Sequence, residues 1–171
     1  MEIVLLDACF VIGLRDCDKT FLLPKIASLL SWKVHIPNAV YDECTAKTVD
    51  PNLCEMIENG QIILCQSERG LLKKIRERYP SLGNGEIDAL AYATSHNDGT
   101  DSVMMITSDQ RTIKVASELG VKTLTTLNFF QKVYELKLMT KKEIYELIPL
   151  LEKSMWLSPK ALDDFRNEIN K

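Results

Sequence analysis

Five short hydrophobic runs, separated by helical patterns, constrain the fold of this 171-residue chain more than any other feature. Each run is brief, contains isoleucine, valine or leucine, and is bounded by turn-forming residues, which is typical of buried strands. Strands that alternate with helices form parallel sheets, so the pattern predicts an α/β fold with a mostly parallel sheet covered on both faces. The predicted strands are Ile3–Leu6, Lys33–Ile36, Gln61–Cys65, Ser102–Ile106 and Lys122–Leu124.

Hydrophobic residues at helical spacing fill the intervals between these strands. The last of these helices is followed by Gly120, a typical C-cap residue. The predicted helices in this part of the chain are Phe21–Leu30, Asn38–Ala46, Asn52–Asn59, Glu68–Tyr79, Glu86–Ser95 and Gln110–Leu119.

After Leu124 the alternation stops, and three further helices are predicted, with a capping box formed by Thr140 and Glu143. No repeat, low-complexity segment or glycine- and serine-rich linker separates them from the preceding residues. We therefore predict one domain over residues 1–171, with an α/β core over 1–125 and a helical C-terminal appendage over 126–171. These three helices are Thr126–Leu138, Lys141–Lys153 and Pro159–Ile169.

The overall charge gives no general attraction to nucleic acid, because 24 acidic residues exceed 21 basic ones for a formal net charge of −3. Any such contact must come from a local basic cluster. The best candidate is the LKKIRER run, and its alternative interpretation is a solvated helix face. Its candidate substrate-binding residues are Lys73, Lys74, Arg76 and Arg78.

The five cysteines form neither a CxxC pair nor a spacing typical of zinc ligands, which favours free thiols in a reducing cytosol. No apolar stretch is long enough to cross a membrane, and no signal peptide is recognised. A cytoplasmic protein without membrane contact is the resulting expectation.

Two acids follow predicted strands directly. Asp7 comes after the first strand in LLDACFVIGL, and Asp109 lies just past the Ser102–Ile106 strand in MMITSDQR. Ligands of open parallel sheets bind beyond the carboxyl ends of the strands, so these acids are expected to converge on one crevice. The alternative for either residue alone is a helix N-cap.

A third acid, Glu43, lies on the helix predicted after the second strand, in IPNAVYDECTA. Because it follows Val40 by three residues, it can lie on the inner edge of that helix. A glutamate on a short helix is otherwise usually a surface charge.

The segment LGNGEIDALAYATS carries two more acids, at the start of a helix that is hydrophobic on most sides and therefore buried. Charges are rarely buried unless they are paired or bound to metal, although Glu86 and Asp88 could simply favour the positive end of the helix dipole. Residues two positions apart on a helix point about 200° away from each other, so only one of these two acids can point directly at a shared centre. We expect Asp88 to do so, with Glu86 at the edge.

Four or five carboxylates in one pocket repel each other unless a cation or protons neutralise them. Oxygen ligands favour Mg²⁺ or Mn²⁺ over zinc, which prefers histidine or cysteine. Such an ion could generate hydroxide and stabilise an in-line displacement at phosphorus. No serine–histidine pair for nucleophilic catalysis is apparent.

These segments resemble the PIN domain family. The strand that ends in Asp7, the IPNAVYDE segment, the GNGEIDALAYAT helix and the ITSDQR turn occur in that family's order and with suitable spacing. Single-domain prokaryotic proteins with a GE-x-[DE]-A helix look most similar, and the resemblance covers nearly the whole chain.

The resemblance implies a three-layer α/β/α fold and cleavage of RNA, single-stranded or structured, with Mg²⁺ or Mn²⁺. Asp7, Glu43, Asp88 and Asp109 match the family's acidic positions, as metal ligands and catalytic residues. Glu86 matches a further metal-binding acid of this subgroup. Many relatives are VapC-like toxins, so the implied protein partners are an antitoxin or a second copy in a homodimer.

Two positions depart from the family's pattern. Ala8 and Cys9 stand where relatives often carry a hydroxyl just after the first aspartate. Arg111 stands where relatives often carry an acid or an amide. Thr107 and Ser108 are candidates to supply hydroxyls near the last aspartate instead.

Other classes of protein fit less well. A PIN-like scaffold that binds RNA or a protein without cutting is the main alternative, against which the intact set of acids argues. A phosphotransfer receiver domain expects an aspartate after the middle strand, and the strand ending at Cys65 has none. Nucleotide hydrolysis lacks a GxxxxGK[ST] loop.

Overall fold

The protein is built on a five-stranded, entirely parallel sheet, seen in a computed structural model that describes residues 2–97, 102–155 and 157–171. The strand order is β3-β2-β1-β4-β5, so β1 is central. The α/β fold with a parallel sheet predicted from the sequence is confirmed. The strands are β1 (Glu2–Leu6), β2 (Trp32–Pro37), β3 (Ile62–Cys65), β4 (Ser102–Ile106) and β5 (Lys122–Leu124).

Helices connect and cover these strands. Each predicted helix has a counterpart, whereas α1 was not predicted, because only Asp7 separates the hydrophobic segment ACFVIGLRD from β1 and the segment contains a glycine. None of the described helices combines the length and the apolar character needed to cross a lipid bilayer. The helices are α1 (Ala8–Asp16), α2 (Leu22–Leu30), α3 (Asn38–Thr45), α4 (Pro51–Glu58), α5 (Arg69–Arg78), α6 (Asn84–His96), α7 (Gln110–Glu118), α8 (Thr126–Glu135), α9 (Lys141–Ser154) and α10 (Pro159–Asn170).

The two faces of the sheet have separate hydrophobic cores. Alternate residues of a strand point to opposite faces, so Val4 and Leu6 of β1 enter one core while Ile3 and Leu5 enter the other. The first core contains residues from α1, α2 and the C-terminal helices, and the second contains the apolar residues of α6 and α7. Helices, sheet and helices therefore form three layers.

The C-terminal helices share the first core with the α/β part of the chain. Phe10 of α1 packs edge-on against Phe129 of α8, with ring centroids 4.9 Å apart. Ile144 of α9 and Phe165 of α10 are buried in the same cluster. These contacts fix residues 126–171 against α1, the helix that begins directly after β1.

Helices α3 and α6 approach closely at Gly85, the second residue of α6. A Cβ atom at this position would lie 3.0 Å from both Oε1 of Glu43 and Cγ2 of Val40. The glycine therefore allows α6 to begin in contact with α3.

We predict that Gly85→Ala lowers the free energy of unfolding by roughly 1–3 kcal/mol, because the added methyl overpacks the contact between the helices. Gly70, the second residue of α5, is a matched control, because a Cβ there would meet only a flexible glutamate side chain, at 3.3 Å. Gly70→Ala should be neutral or stabilising by up to about 1 kcal/mol. Urea denaturation of both variants measures the difference, and equal effects would contradict the close approach.

Candidate active site

Asp7 lies at the carboxyl end of the central strand and is almost completely buried, with 3% of its surface exposed. It occupies the N-cap position of α1, yet its side chain makes no capping hydrogen bond. Instead, its Oδ2 accepts a hydrogen bond of 2.9 Å from the hydroxyl of Thr107. β1 and β4 pair in register up to Leu6 and Ile106, so the residues that follow these two lie side by side.

The environment of Asp7 opposes its ionisation. Burial, the largest cause, raises the pKa of this carboxyl from its ordinary 3.8 to about 6. The hydroxyl of Thr107 lowers the pKa, whereas the negative charges of Glu86 and then Glu43 raise it. Asp7 is therefore a desolvated acid with two acidic neighbours.

The two hydroxyl residues of the ITSDQR turn have different partners. Thr107, fully buried, donates to Asp7 and accepts a 3.3 Å hydrogen bond from the backbone N–H of Asp109. Ser108 donates to the hydroxyl of Thr126 and accepts from its backbone N–H, so it anchors the start of α8. Thr107 thus supplies the hydroxyl beside Asp7 that Ala8 and Cys9 lack.

Glu43 and Asp109 both cap a helix near this centre. Glu43, exposed on α3, accepts a 2.8 Å hydrogen bond at Oε1 from the N–H of Gly85 in the first turn of α6. Asp109 is the N-cap of α7, and its Oδ1 accepts a 2.9 Å hydrogen bond from the N–H of Thr112. The N-cap alternative for Asp109 is therefore observed, beside the acidic centre.

Glu86 is held at both ends of its carboxylate. As the third residue of α6 it folds back to the helix start, where Oε2 accepts a 2.7 Å hydrogen bond from the N–H of Gly83. Its Oε1 accepts a 2.7 Å hydrogen bond from the hydroxyl of Thr112, which also lies 3.1 Å from Oδ1 of Asp109. Thr112 thus links two acids, and the sequence analysis missed it, although a threonine three residues after an N-cap aspartate was a usable signal.

Asp88 faces a different environment. Its Oδ1 accepts a 2.6 Å hydrogen bond from the hydroxyl of Ser67, and its Oδ2 accepts one of 3.2 Å from the N–H of Ala39 in α3. Ser67 also lies 2.8 Å from the main-chain oxygen of Asp88. Sequence reasoning missed Ser67, because nothing nearby in the chain marks it.

Glu86 and Asp88, both expected at the metal centre, have different surroundings in the structure. Glu86 lies in the first turn of α6 and reaches back over the helix start towards α7. Asp88, about 200° further round the helix, is directed at Ser67 and α3. Both were expected near one centre, and only Glu86 has its charge acting on Asp7 among the causes that shift the pKa of that residue.

Burial and four acids raise the pKa of the thiol of Cys9, which lies two residues after Asp7. The pKa of this thiol is raised to about 11, first by desolvation and then by the charges of Asp7, Glu86, Glu43 and Asp109. The charge of Asp88 instead raises the pKa of Cys65, which burial brings to about 12. We call Asp7, Glu43, Glu86 and Asp109 the acidic cluster.

The predicted basic residues lie in solvent on α5. Lys73, Lys74, Arg76 and Arg78 are exposed. Lys73 pairs with Glu77 at 3.8 Å, and Arg78 lies over the ring of Tyr79. Neither contact connects them to the acidic cluster, and both are compatible with a solvated helix face.

The donor atoms of the acidic cluster are of the kind that binds a hard divalent cation. All its donors are carboxylate oxygens, which suit Mg²⁺ or Mn²⁺ and not a closed zinc site. Over the described ranges of the chain, no three acid, thiol or imidazole side chains converge closely enough to form a complete metal-binding group. Mg²⁺ retains several waters and needs only one or two protein carboxylates, so a partial set of ligands is compatible with it.

We predict that Asp7→Asn stabilises the metal-free protein at neutral pH by up to about 3 kcal/mol, because the amide carries no charge to desolvate. The folded-state pKa of Asp7 lies above its unfolded value, so ionisation of this carboxyl opposes folding. The gain should be absent below pH 4, grow between pH 4 and 6, and stay constant above.

Urea denaturation with EDTA at several pH values measures this gain. Asp42→Asn, an exposed acid next to Glu43 in the sequence, is the control and should show no such dependence. A gain of equal size at pH 4 and pH 7 would contradict the electrostatic explanation.

Comparison with known proteins agrees with this geometry. The model of a family described as PIN domain matches residues 3–171. No curated protein matches the chain. PIN domains are usually nucleases and generally use divalent metals. Because the match extends over nearly the entire sequence, the chain belongs to the PIN domain family.

Proposed function

We propose that this protein is a divalent-metal-dependent ribonuclease that hydrolyses RNA phosphodiester bonds at the acidic cluster. The observation that carries the proposal is the chain of hydrogen bonds that joins Asp7, Asp109 and Glu86 through the hydroxyls of Thr107 and Thr112. Asp7 and Asp109 follow neighbouring parallel strands, at the edge of the sheet where ligands of such folds bind. RNA, rather than DNA, is taken from the family resemblance.

We assign the site of Mg²⁺ or Mn²⁺ to one or two of the carboxylates of Asp7, Glu86 and Asp109, with water completing the coordination. When bound, the ion would supply an activated water and stabilise negative charge on the phosphate oxygens. Thr107 and Thr112 orient these three acids through neutral hydroxyls, which do not cancel the negative charge that attracts a cation. Glu43 lies exposed at the rim, where its carboxylate can accept a proton from the attacking water.

We assign Asp88 to positioning rather than to metal binding. Its oxygens accept hydrogen bonds from the hydroxyl of Ser67 and from the N–H of Ala39, neither of which donates to an acid of the acidic cluster in the described part of the chain, whereas Thr112 links Glu86 to Asp109. The bonds of Asp88 tie α6 to α3 and to the segment after β3. Asp88 therefore sets where α6 begins, and with it the place of Glu86.

The exposed cations of α5 are proposed contacts for the RNA backbone. Phosphate contacts by lysine and arginine contribute affinity without reading sequence. An antitoxin partner and a homodimer remain hypotheses drawn from the resemblance, and a reducing, cytoplasmic setting remains a hypothesis drawn from the five free cysteines.

We predict that the purified protein cleaves a mixed RNA pool with Mn²⁺ or Mg²⁺ and loses this activity in EDTA. Asp7→Asn should lower the cleavage rate at least about a hundredfold, because it removes the buried ligand. Gel analysis of labelled RNA measures the rate, with Asp42→Asn as an exposed control that keeps full activity. Equal, metal-independent cleavage by all three proteins would sink the enzyme assignment.

A second pair of isosteric variants separates the two acids of α6. Glu86→Gln should lower the rate as strongly as Asp7→Asn, while its amide can still bond to the hydroxyl of Thr112. Asp88→Asn should keep the fold and remain within about tenfold of the wild-type rate. Its amide can donate to Ser67, which then donates to the main-chain oxygen of residue 88, and the Asn oxygen still accepts from Ala39.

The same assay, with urea denaturation to compare folding, tests this assignment. An inactive but fully folded Asp88→Asn variant beside an active Glu86→Gln variant would reverse the assignment.

Mn²⁺ titration calorimetry tests the alternative function. A wild type that binds RNA without binding Mn²⁺ would favour a PIN-like scaffold that does not cut.

A further inference from the structure

A pocket of about 380 Å³ adjoins the acidic cluster and has no role in the chemistry proposed above. Cys9 and Asp109 line it, so it opens next to the four acids. Its other walls come from α1, the starts of α7 and α8, the last residue of α9, and Met155 and Leu157. Its volume lies in the range of about 300–1,000 Å³ that is typical of small-molecule sites.

One side of the pocket is apolar. Ile12 of α1 and the residues Met155 and Leu157, which follow α9, contribute this side. Cys9 adds its side chain to this side. A flat apolar group could therefore lie between α1 and the C-terminal segment.

The other side carries hydrogen-bonding groups at the start of α7. Ser108 is already bonded to Thr126, as donor and as acceptor. Gln110 is exposed and offers both an amide donor and an amide acceptor. Arg111, with 65% of its side chain exposed, extends beside the acids, where its Nε lies 3.7 Å from Oδ1 of Asp109.

This arrangement matches the chemistry of a nucleotide. A nucleobase has apolar faces and a polar edge, and unpaired bases of RNA are recognised by packing of the face and hydrogen bonding of the edge. An arginine beside the pocket suits the phosphate attached to that base. An apolar protein side chain could pack against the same walls. It would offer no hydrogen-bonding partner to the amide of Gln110 and no anion to the guanidinium of Arg111.

We propose that this pocket binds one unpaired base of the RNA strand next to the phosphate that is cut. In this proposal, which rests on the proposed ribonuclease function, Gln110 contacts the base edge and Arg111 contacts the adjoining phosphate. The substrate is then single-stranded at the cleavage position, since a base in a duplex cannot leave its stack without a cost.

Binding to the pocket can be measured without any cleavage. Met155 lines the pocket, so we would label the methionine methyl groups with ¹³C and titrate the protein in EDTA with the four nucleoside 5′-monophosphates. We expect a saturable shift of the Met155 resonance by at least one nucleotide, with a dissociation constant of roughly 1–10 mM. Ribose 5-phosphate should leave that resonance in place, and Met56, buried on α4, is the internal control.

Two glutamine variants test whether Gln110 contacts the nucleotide. Gln110→Ala should weaken nucleotide binding about fivefold or more, whereas Gln131→Ala, at a half-buried glutamine of α8 that does not line the pocket, should not change it. No Met155 shift with any nucleotide, or an equal shift with ribose 5-phosphate, would overturn the proposal. Tighter binding of N-acetyl-leucinamide than of every nucleotide would also overturn it and would indicate a protein side chain as the occupant.

Cleavage of RNA with a single abasic position connects the pocket to the reaction. An abasic residue next to the cut should reduce cleavage roughly tenfold, and elsewhere in the strand it should have little effect. An enzyme insensitive to every abasic position would count against the pocket. A protein that cuts no RNA but shows the Met155 shift would refute the ribonuclease and keep the nucleotide pocket.

Discussion

The acidic end of the sheet depends on the hydrogen bond from the hydroxyl of Thr107 to the carboxylate of Asp7. β1 is the central strand, so the residue that follows it is surrounded by protein on every side. A bare carboxylate there would be costly, and one neutral donor lowers that cost without removing the charge. Because Thr107 also accepts from the N–H of Asp109, the same hydroxyl fixes the turn into α7.

Neutral donors hold the other acids in the same manner. Hydroxyl and backbone N–H groups, rather than lysine or arginine, contact Glu43 and Glu86. A cation in their place would neutralise the charge and compete with a metal ion. Arg111, the basic residue paired with Asp109, lies at a distance of 3.7 Å and is largely exposed, so its attraction is weak.

The sequence predicts the sheet well because the strands are short, apolar and separated by clear turn signals. It also places Asp7 and Asp109 at strand ends, since this follows from connectivity alone. Helix α1 could not be predicted, because only Asp7 separates its apolar residues from the β1 run. The orientations of Glu86 and Asp88 depend on Thr112 and Ser67, which are 26 and 21 positions away in the chain and meet α6 only after folding.

Helices α3 and α6 exchange equivalent hydrogen bonds at their starts. The N–H of Ala39, second in α3, donates to Asp88 of α6, and the N–H of Gly85, second in α6, donates to Glu43 of α3. A shift of either helix along its axis strains both bonds. The two bonds therefore form a frame that joins α3 to α6 at this end of the molecule. A nucleic-acid strand that reaches the acids would meet this frame on one side and, on the other, the pocket wall formed by α1 with Met155 and Leu157.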